Sequence, residues 1–375
     1  MFDRLTLTAR QRISPLRQGA VLAAGILLGL AIAAAVLALN GVGPSAIVDE
    51  FVLYVFTTES GLAQALTRAV ALCLVGLGAV FALKLRFWNI GVDGQAWVGA
   101  IAASWIAIDD IGPPGIRLAL MLAAGALAGA LWIGLPALLK LRLGVSEVVS
   151  TLMLTYVAFQ AAEQLLYGPW RDPDTGFPVS PAFDEGIERL GQVGLGHLHA
   201  GVWIALAAAV AAVALLQGSR FGFYAAAVGH NPRAARAAGM PLTWTLAIGV
   251  GCSGLLAGLA GATVVAGQEY HLTRYIAGDF TFSAILIALL ARLSPLAVLP
   301  VGLVLAGIYV SGDALKAFYQ LPLAVIQVIE AVILLSVVLL DFFARYQLHL
   351  APRPAAAAFA APATPAASSP ATAED

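Results

Sequence analysis

The stretch AVLAAGILLGLAIAAAVLAL, Ala20 to Leu39, decides how this chain is to be read. It carries no ionisable or amide side chain, and about 20 apolar residues in a helix span the ~30 Å hydrocarbon core of a bilayer. In hydrocarbon every backbone N–H and C=O has to be satisfied within the segment, so such a stretch is helical. Arg4, Arg10, Arg12 and Arg17 precede it, as cations precede a secretory signal. A signal's apolar core runs only about 7 to 15 residues, so the length predicts a retained anchor.

The rest of the chain has the same character. Of 375 residues 61% are hydrophobic and 11% charged, with a mean hydropathy of +0.90, where a soluble domain carries about a quarter charged residues. The net charge of -1 supplies no basic field for nucleic acid. The implied partner is the lipid bilayer. Cys73 and Cys252 both lie in apolar runs and read as small core residues rather than a disulfide or a thiolate metal site.

Scanning for further apolar runs predicts an all-α integral membrane protein of about ten transmembrane helices, some short or broken near a pore. The spans lie near 20–39, 61–83, 92–108, 116–139, 146–167, 201–217, 242–266, 280–292, 295–312 and 321–341, the eighth being short enough for a half-helix. This leaves an N-terminal segment 1–18, a membrane domain 19–345 and an Ala/Pro-rich tail 346–375 expected to be disordered. Cations mark the cytoplasmic side. With both termini inside, fourteen of the twenty Lys and Arg residues fall there, among them Lys84, Arg86, Lys140, Arg142, Arg220, Arg233, Arg236 and Arg345. The loop 168–200 then faces outward, with a short amphipathic helix expected over Phe183 to Leu190, and the loop 218–241 faces inward.

Polar groups at membrane depth point to a pathway or to a buried partner. In Phe87-Trp88-Asn89-Ile90-Gly91-Val92-Asp93-Gly94-Gln95 two glycines permit a break, and Asn89 or Asp93 is placed to cap the helix that follows. That segment is either a half-helix start facing a cavity or a plain capped loop. Glu147, Ser150, Thr151 and Thr155 share a helical face, either lining a path or bonding back to their own helix, with Glu147 near Arg142. Gln268, Glu269, His271, Arg274 and Asp279 form an expected outer gate, and Glu330 either pairs with Arg68 or lines the pore. Gly251, Gly254, Gly258 and Gly261 on one face, and Gly125 with Gly129 on another helix, predict close helix packing.

No G-x-x-x-x-G-K-[ST] is present, and Lys84, Lys140 and Lys316 never follow a glycine, so no phosphate-cradling loop is expected in this chain. His197 and His199 lack companions at metal spacing, and neither a metal nor a catalytic site is expected. In the inner loop, Asn231 reads as an N-cap, Pro232 as the first helical residue and Gly239 as the stop of a short helix. Such a helix, presented beneath a bilayer, suits the groove of a soluble partner.

Val228 to Met240, Trp88 to Gln95, Gly144 to Leu154 and Phe280 to Pro295 together resemble the permease family of nucleoside and simple-sugar ABC importers, in order along residues 60–341. The Asn-Ile-Gly-x-acid-Gly-Gln segment resembles the nucleoside branch. Departures are Trp88 for Phe, Asp93 for Glu, Thr155 for Asn and Ala291-Arg292-Leu293 for a Gly-containing turn. The resemblance implies a permease that works by alternating access, with no cofactor of its own. ATP would be used by a separate ATPase subunit. A second related permease and an extracytoplasmic solute-binding lipoprotein would complete the assembly. It also implies ATPase coupling through Gly229, His230, Asn231, Pro232, Arg233, Ala234, Ala235 and Arg236; among the polar groups at membrane depth, Asn89, Asp93, Gln95, Glu147 and Thr151 are the residues expected on the translocation path. A simple-sugar permease is the alternative within the class. An ion-coupled secondary transporter using Arg68, Glu147 and Glu330 is the alternative outside it.

Overall fold

A computed structural model describes residues 5–9, 14–194, 196, 198–276 and 279–350. His197, the cations Arg4, Arg10, Arg12 and Arg353, and the stretch 351–375 of the expected tail lie outside the described residues. Twelve helices carry the fold: α1 (Pro15–Leu39), α2 (Glu59–Lys84), α3 (Val92–Ile108), α4 (Pro114–Leu143), α5 (Glu147–Tyr167), α6 (Gly201–Gln217), α7 (Arg220–His230), α8 (Pro232–Ala237), α9 (Leu242–Val264), α10 (Phe280–Leu290), α11 (Pro295–Tyr319) and α12 (Leu323–Arg345). Three short helical pieces over residues 45–57 join α1 to α2.

Every expected apolar span, about ten in all, coincides with a helix, though not each helix is long and apolar enough to cross a bilayer by itself. Among the described residues six helices are long and apolar enough to cross a bilayer singly, or seven spans if α6 and α7, bent by 70°, count as one. The difference lies in α3, α5 and α10. At 17 and 11 residues, α3 and α10 extend only about 26 and 16 Å, and α5 carries Glu147 and Glu163. The bend between α6 and α7 has a local cause. Gly218 ends α6, and the Ser219 hydroxyl donates to Leu215 O while accepting the Phe221 and Gly222 N–H groups, which starts a new helix at once.

The centre of the bundle is α2, buried along most of its length against α9, α10 and α11. Beside it α3, α4 and α9 meet at glycines. A Cβ added at Gly258 would stand 2.2 Å from Gly125 O, at Gly129 2.3 Å from Gly254 O, and at Gly99 2.2 Å from Gly258 O. Backbones at this separation gain dispersion contact that no larger residue permits. The four-glycine face expected on α9 is only partly right: Gly254, Gly258 and Gly261 meet neighbours, but nothing stands within 4 Å of a Cβ at Gly251.

The two ends of the chain are joined. Gly25 and Gly29 of α1 pack against the Val337 and Ile333 backbone of α12, and two strands, β1 (Leu5–Ala9) and β2 (Tyr346–Leu350), pair antiparallel with Leu5 opposite Leu350. Apart from this short ribbon the elements are helical, as expected, and β2 occupies the head of the stretch read as tail. The ribbon also places both described chain ends on one side of the bundle.

Candidate functional site

Between α2 and α3 the backbone leaves helical geometry, with Arg86 in the left-handed region at φ 54. The Asn89 and Gln95 amides bond to each other twice, at 2.9 and 2.8 Å. Asn89 also donates to Ser253 Oγ and accepts the Gly91 N–H. Both amides are covered, at 4% and 1% exposure. The expectation that Asn89 or Asp93 caps α3 is corrected, because α3 starts at Gly91 with no side-chain cap. Asp93 reaches instead to α10, where its carboxylate accepts the Phe280 N–H at 2.8 Å and the Thr281 N–H at 3.3 Å, while Thr281 Oγ1 accepts the Asp93 N–H. Two short helices thus cap one another across the bundle, each satisfying donors that a helix start leaves open.

Helix α5 closes this hub. Thr151 Oγ1 donates to Glu147 O and accepts the Ile90 N–H, and Ser150 and Thr155 bond back to their own helix. The structure therefore brings Asn89, Asp93, Gln95 and Thr151 into one neighbourhood, with every one of these side chains engaged inside the protein. Glu147, at the start of α5, pairs with Lys140 at 2.5 Å rather than with Arg142, and its carboxylate also accepts from the Trp88 backbone.

A second polar region opens between α2, the end of α9 and α11. Arg68 pairs with Asp313 at 2.5 Å, not with Glu330, and its guanidinium lies 5.1 Å from the Tyr309 ring centroid. The Tyr309 hydroxyl is held at 2.8 Å by Ser283 Oγ. Gln64, Thr67, Arg68, Gln268, Tyr270 and Asp313 border a cavity of about 330 Å³. The expected outer gate is divided: Gln268 and Glu269 border the cavities around Arg68, while Arg274 turns away to Glu163 and lies over the Tyr167 ring. Sequence reading missed Asp313, Tyr309 and Gln64. The available signal was Asp313 as a second ionisable residue inside an apolar helix, which calls for a partner just as Arg68 does.

The loop 168–200 is clamped down rather than free. No helix forms over Phe183 to Leu190, where the chain makes turns. Glu188 is buried and pairs with Arg117 at 2.8 Å. Leu190 N–H donates to Ala266 O and Phe183 N–H to Tyr270 O, fastening the loop to the end of α9. At its far end His199 is fully buried with Nδ1 accepting the Gly201 N–H, while Nε2 has no hydrogen-bond partner among the described residues. Burial pulls the imidazole pKa down to about 4. The unfolded chain protonates this ring below about 6.5 and the folded chain does not, so stability is level above that pH and falls as pH drops towards 4, by up to about 3 kcal/mol. Thermal melting of the detergent-solubilised full chain between pH 7 and 4 is expected to show this loss, and His199→Gln to flatten it.

Helix α8 is built as the sequence predicts. Asn231 Oδ1 accepts the Arg233 and Ala234 N–H groups, Pro232 is the first helical residue and Gly239 sits at φ 74. Preceding it is a second helix, α7. Ala225, Val228 and Ala235 are buried together with Leu85 from the end of α2, and a Cβ at Gly229 would stand 2.1 Å from Lys84 O. His230, Asn231, Pro232, Arg233, Ala234 and Arg236 remain exposed. The pair α7 and α8 is thus a rigid projection keyed to α2, with a cationic outer surface.

The bundle thus joins long apolar helices sealed at glycines to buried polar clusters, and no group of three or more metal-ligating side chains occurs among the described residues. The family model described as branched-chain amino acid transport system, permease component, matches residues 61–339, and the chain belongs to that family. It is similar to the glucose ABC transporter permease of Haloferax volcanii, 33% identical over 87% of this chain and 88% of the relative. Similarity to the guanosine ABC transporter permease of Bacillus subtilis is 30% over 83% of this chain and 90% of the relative. A nucleoside ABC transporter permease of Lactococcus lactis is 27% identical over 73% and 78%. The chain is accordingly an ABC transporter permease subunit and not itself an enzyme.

Proposed function

We propose that this permease imports nucleosides into the cytoplasm by alternating access, driven by a separate ATPase. The observation that carries the reading is the exposed, doubly capped α8, keyed through Ala235, Val228 and Leu85 to the central helix α2, so that a push on α8 is delivered to the core of the bundle. Gly229, His230, Asn231, Pro232, Arg233, Ala234, Ala235 and Arg236 are the coupling surface. Asn89, Asp93, Gln95, Glu147 and Thr151 belong to the inward part of the path. There the Asn89–Gln95 amide pair would exchange its mutual bonds for bonds to hydroxyl or base groups when the bundle opens.

The proposed arrangement has ten crossings, α3, α5 and α10 lying within the shell of the longer helices, and both termini on the cytoplasmic side of the cell inner membrane. The β1–β2 ribbon supports a common side for the ends, and the excess of Lys and Arg supports the cytoplasm. A second related permease, the ATPase and an extracytoplasmic solute-binding lipoprotein complete the importer. Domain limits remain those of the sequence, 19–345 for the membrane unit with loops 168–200 outside and 218–241 inside. The guanosine permease relative supports a nucleoside cargo, and the glucose permease relative supports a simple sugar as the second reading.

Substituting Asn231, Arg233 and Arg236 together by alanine is expected to lower ATP-dependent uptake at least about tenfold, the scale of a lost coupling energy. Membrane insertion and ATP hydrolysis should persist. The measurement is uptake of labelled nucleoside and of labelled sugar in proteoliposomes alongside phosphate release; unimpaired uptake by the triple variant overturns the coupling assignment.

A further inference from the structure

The cavity beside Arg68 holds chemistry that the bundle does not need for its own packing. Arg68 lies nine residues into α2 and Asp313 six residues before the end of α11, which places both roughly 9 to 13 Å inside their helices. Even so their side chains are 43% and 63% exposed. Ionised groups at that depth do not face lipid, so they face an aqueous space. A purely structural ion pair at such a position would be covered and fully satisfied. Around this pair stand two amides, Gln64 and Gln268, and the ring of Tyr270. An adjoining cavity of about 170 Å³ shares Arg68 and Gln268 and adds Glu269, Tyr275 and Phe280. Gln268 is already fixed by donating to Thr67 O.

We propose that this cavity receives the solute from the outer face and that its occupant is an uncharged nucleoside, preferred over a free sugar and over a phosphorylated nucleoside. The proposal rests on the import reading above. The Asp313 carboxylate is an acceptor for vicinal hydroxyls, and the Arg68 fork donates to a ring oxygen or a carbonyl. The amides offer both donor and acceptor to a base edge, and Tyr270, Tyr275 and Phe280 supply flat faces for a planar ring. Arg68 is set against the carboxylates of Asp313 and Glu269, and Glu330 lies behind, its carboxylate against Gly312. Asp313 and Glu269 compensate the Arg68 charge before a ligand arrives, and Arg189 is turned to the Tyr270 ring and to Phe183 O, so a phosphate gains no uncompensated cation while a neutral solute is unaffected. A free sugar forfeits the aromatic faces and the amides. The main volume of about 330 Å³ falls at the small end of the roughly 300 to 1,000 Å³ range of ligand pockets, which suits a single nucleoside.

The test is photolabelling of the full-length chain in nanodiscs with 8-azidoguanosine, followed by peptide mapping. The adduct is expected within residues 64–68 or 268–276. Guanosine should protect against labelling, ribose only at concentrations at least about tenfold higher, and GMP not at all, because each lost charge-assisted or buried hydrogen bond is worth about tenfold or more. Arg68→Ala should reduce labelling by about tenfold, with Arg68→Lys intermediate. Should Arg68→Ala fail to insert, Gln268→Ala leaves the ion pair in place and is expected to weaken labelling as well. An adduct mapping to residues 89–95 alone, protection by GMP equal to that by guanosine, or labelling unchanged in these variants overturns the proposal. ATP-dependent uptake by the wild-type complex separates the two readings. Transport of ribose but not guanosine overturns the cargo chemistry and leaves import standing, whereas transport of neither overturns the import reading and this site with it.

Discussion

Gly258→Leu is expected to leave almost no folded protein. The α-carbon of Gly258 is enclosed from two sides: a Cβ there would stand 2.2 Å from Gly125 O and 2.9 Å from Gly129 Cα and N, and Gly99 approaches from α3. The obstructing atoms are backbone, so no side chain can rotate away, and α3, α4 and α9 would have to separate together. Overpacking a yielding core costs about 1 to 3 kcal/mol, and an unyielding contact among three helices should exceed about 4 kcal/mol, a large share of a total of about 5 to 15. The measurement is the monodisperse fraction in fluorescence-detected size-exclusion chromatography together with thermal stability in detergent. Gly251→Leu is the matched control, because nothing stands within 4 Å of a Cβ there, and its expected effect is within about 0.5 kcal/mol. Equal losses in the two variants would show that the stripe of glycines acts by sequence spacing and not through this junction.

Asp93→Ala is expected to cost about 3 kcal/mol and to abolish transport with the protein still inserted. The substitution strips the Phe280 and Thr281 N–H groups of their acceptor, and each donor left unsatisfied in the interior costs about 1 to 3 kcal/mol. Carboxylate acceptors at a helix start are also among the stronger caps. Asp93→Asn retains an acceptor oxygen and should lose less than half as much. Thr281→Val removes the reciprocal bond to the Asp93 N–H, so combining it with Asp93→Ala should give less than the sum of the single effects. Thermal melting of the four proteins measures the cycle. Strict additivity would mean that the two helix starts do not hold one another.

Much of the bundle was legible because hydrocarbon imposes a simple rule, that an apolar run must be helical to satisfy its own backbone. Helix bounds near 92–108, 201–217 and 295 onwards follow from that rule alone. The capped α8 was equally legible, since Asn231, Pro232 and Gly239 act through bonds to residues two to four positions away. What escaped the sequence was pairing across distance. Of the two roles open to Glu330, pairing with Arg68 fails because Arg68 pairs with Asp313, and Glu147, read either as path lining or as a neighbour of Arg142, pairs with Lys140. Gly25 and Gly29, spaced as a packing motif inside the opening apolar run, passed unread, although they hold α1 against α12. The expected helix at 183–190 failed because Glu188 is drawn inward to Arg117, a long-range ion pair that periodicity does not encode.

By itself the sequence determined the solvent of this protein, the positions of its helices and the shape of the capped α8, because each depends on local composition or on bonds within one helical turn. Tertiary structure alone decided that Asp93 caps a helix 187 residues away, that Gly251 is the uncompressed member of the four glycines expected on one face of α9, and that an ion pair inside the helices opens onto a cavity. Those outcomes depend on which backbone surfaces reach contact in three dimensions. Residues of one type at one spacing face either a neighbour or open space according to the packing of the whole bundle.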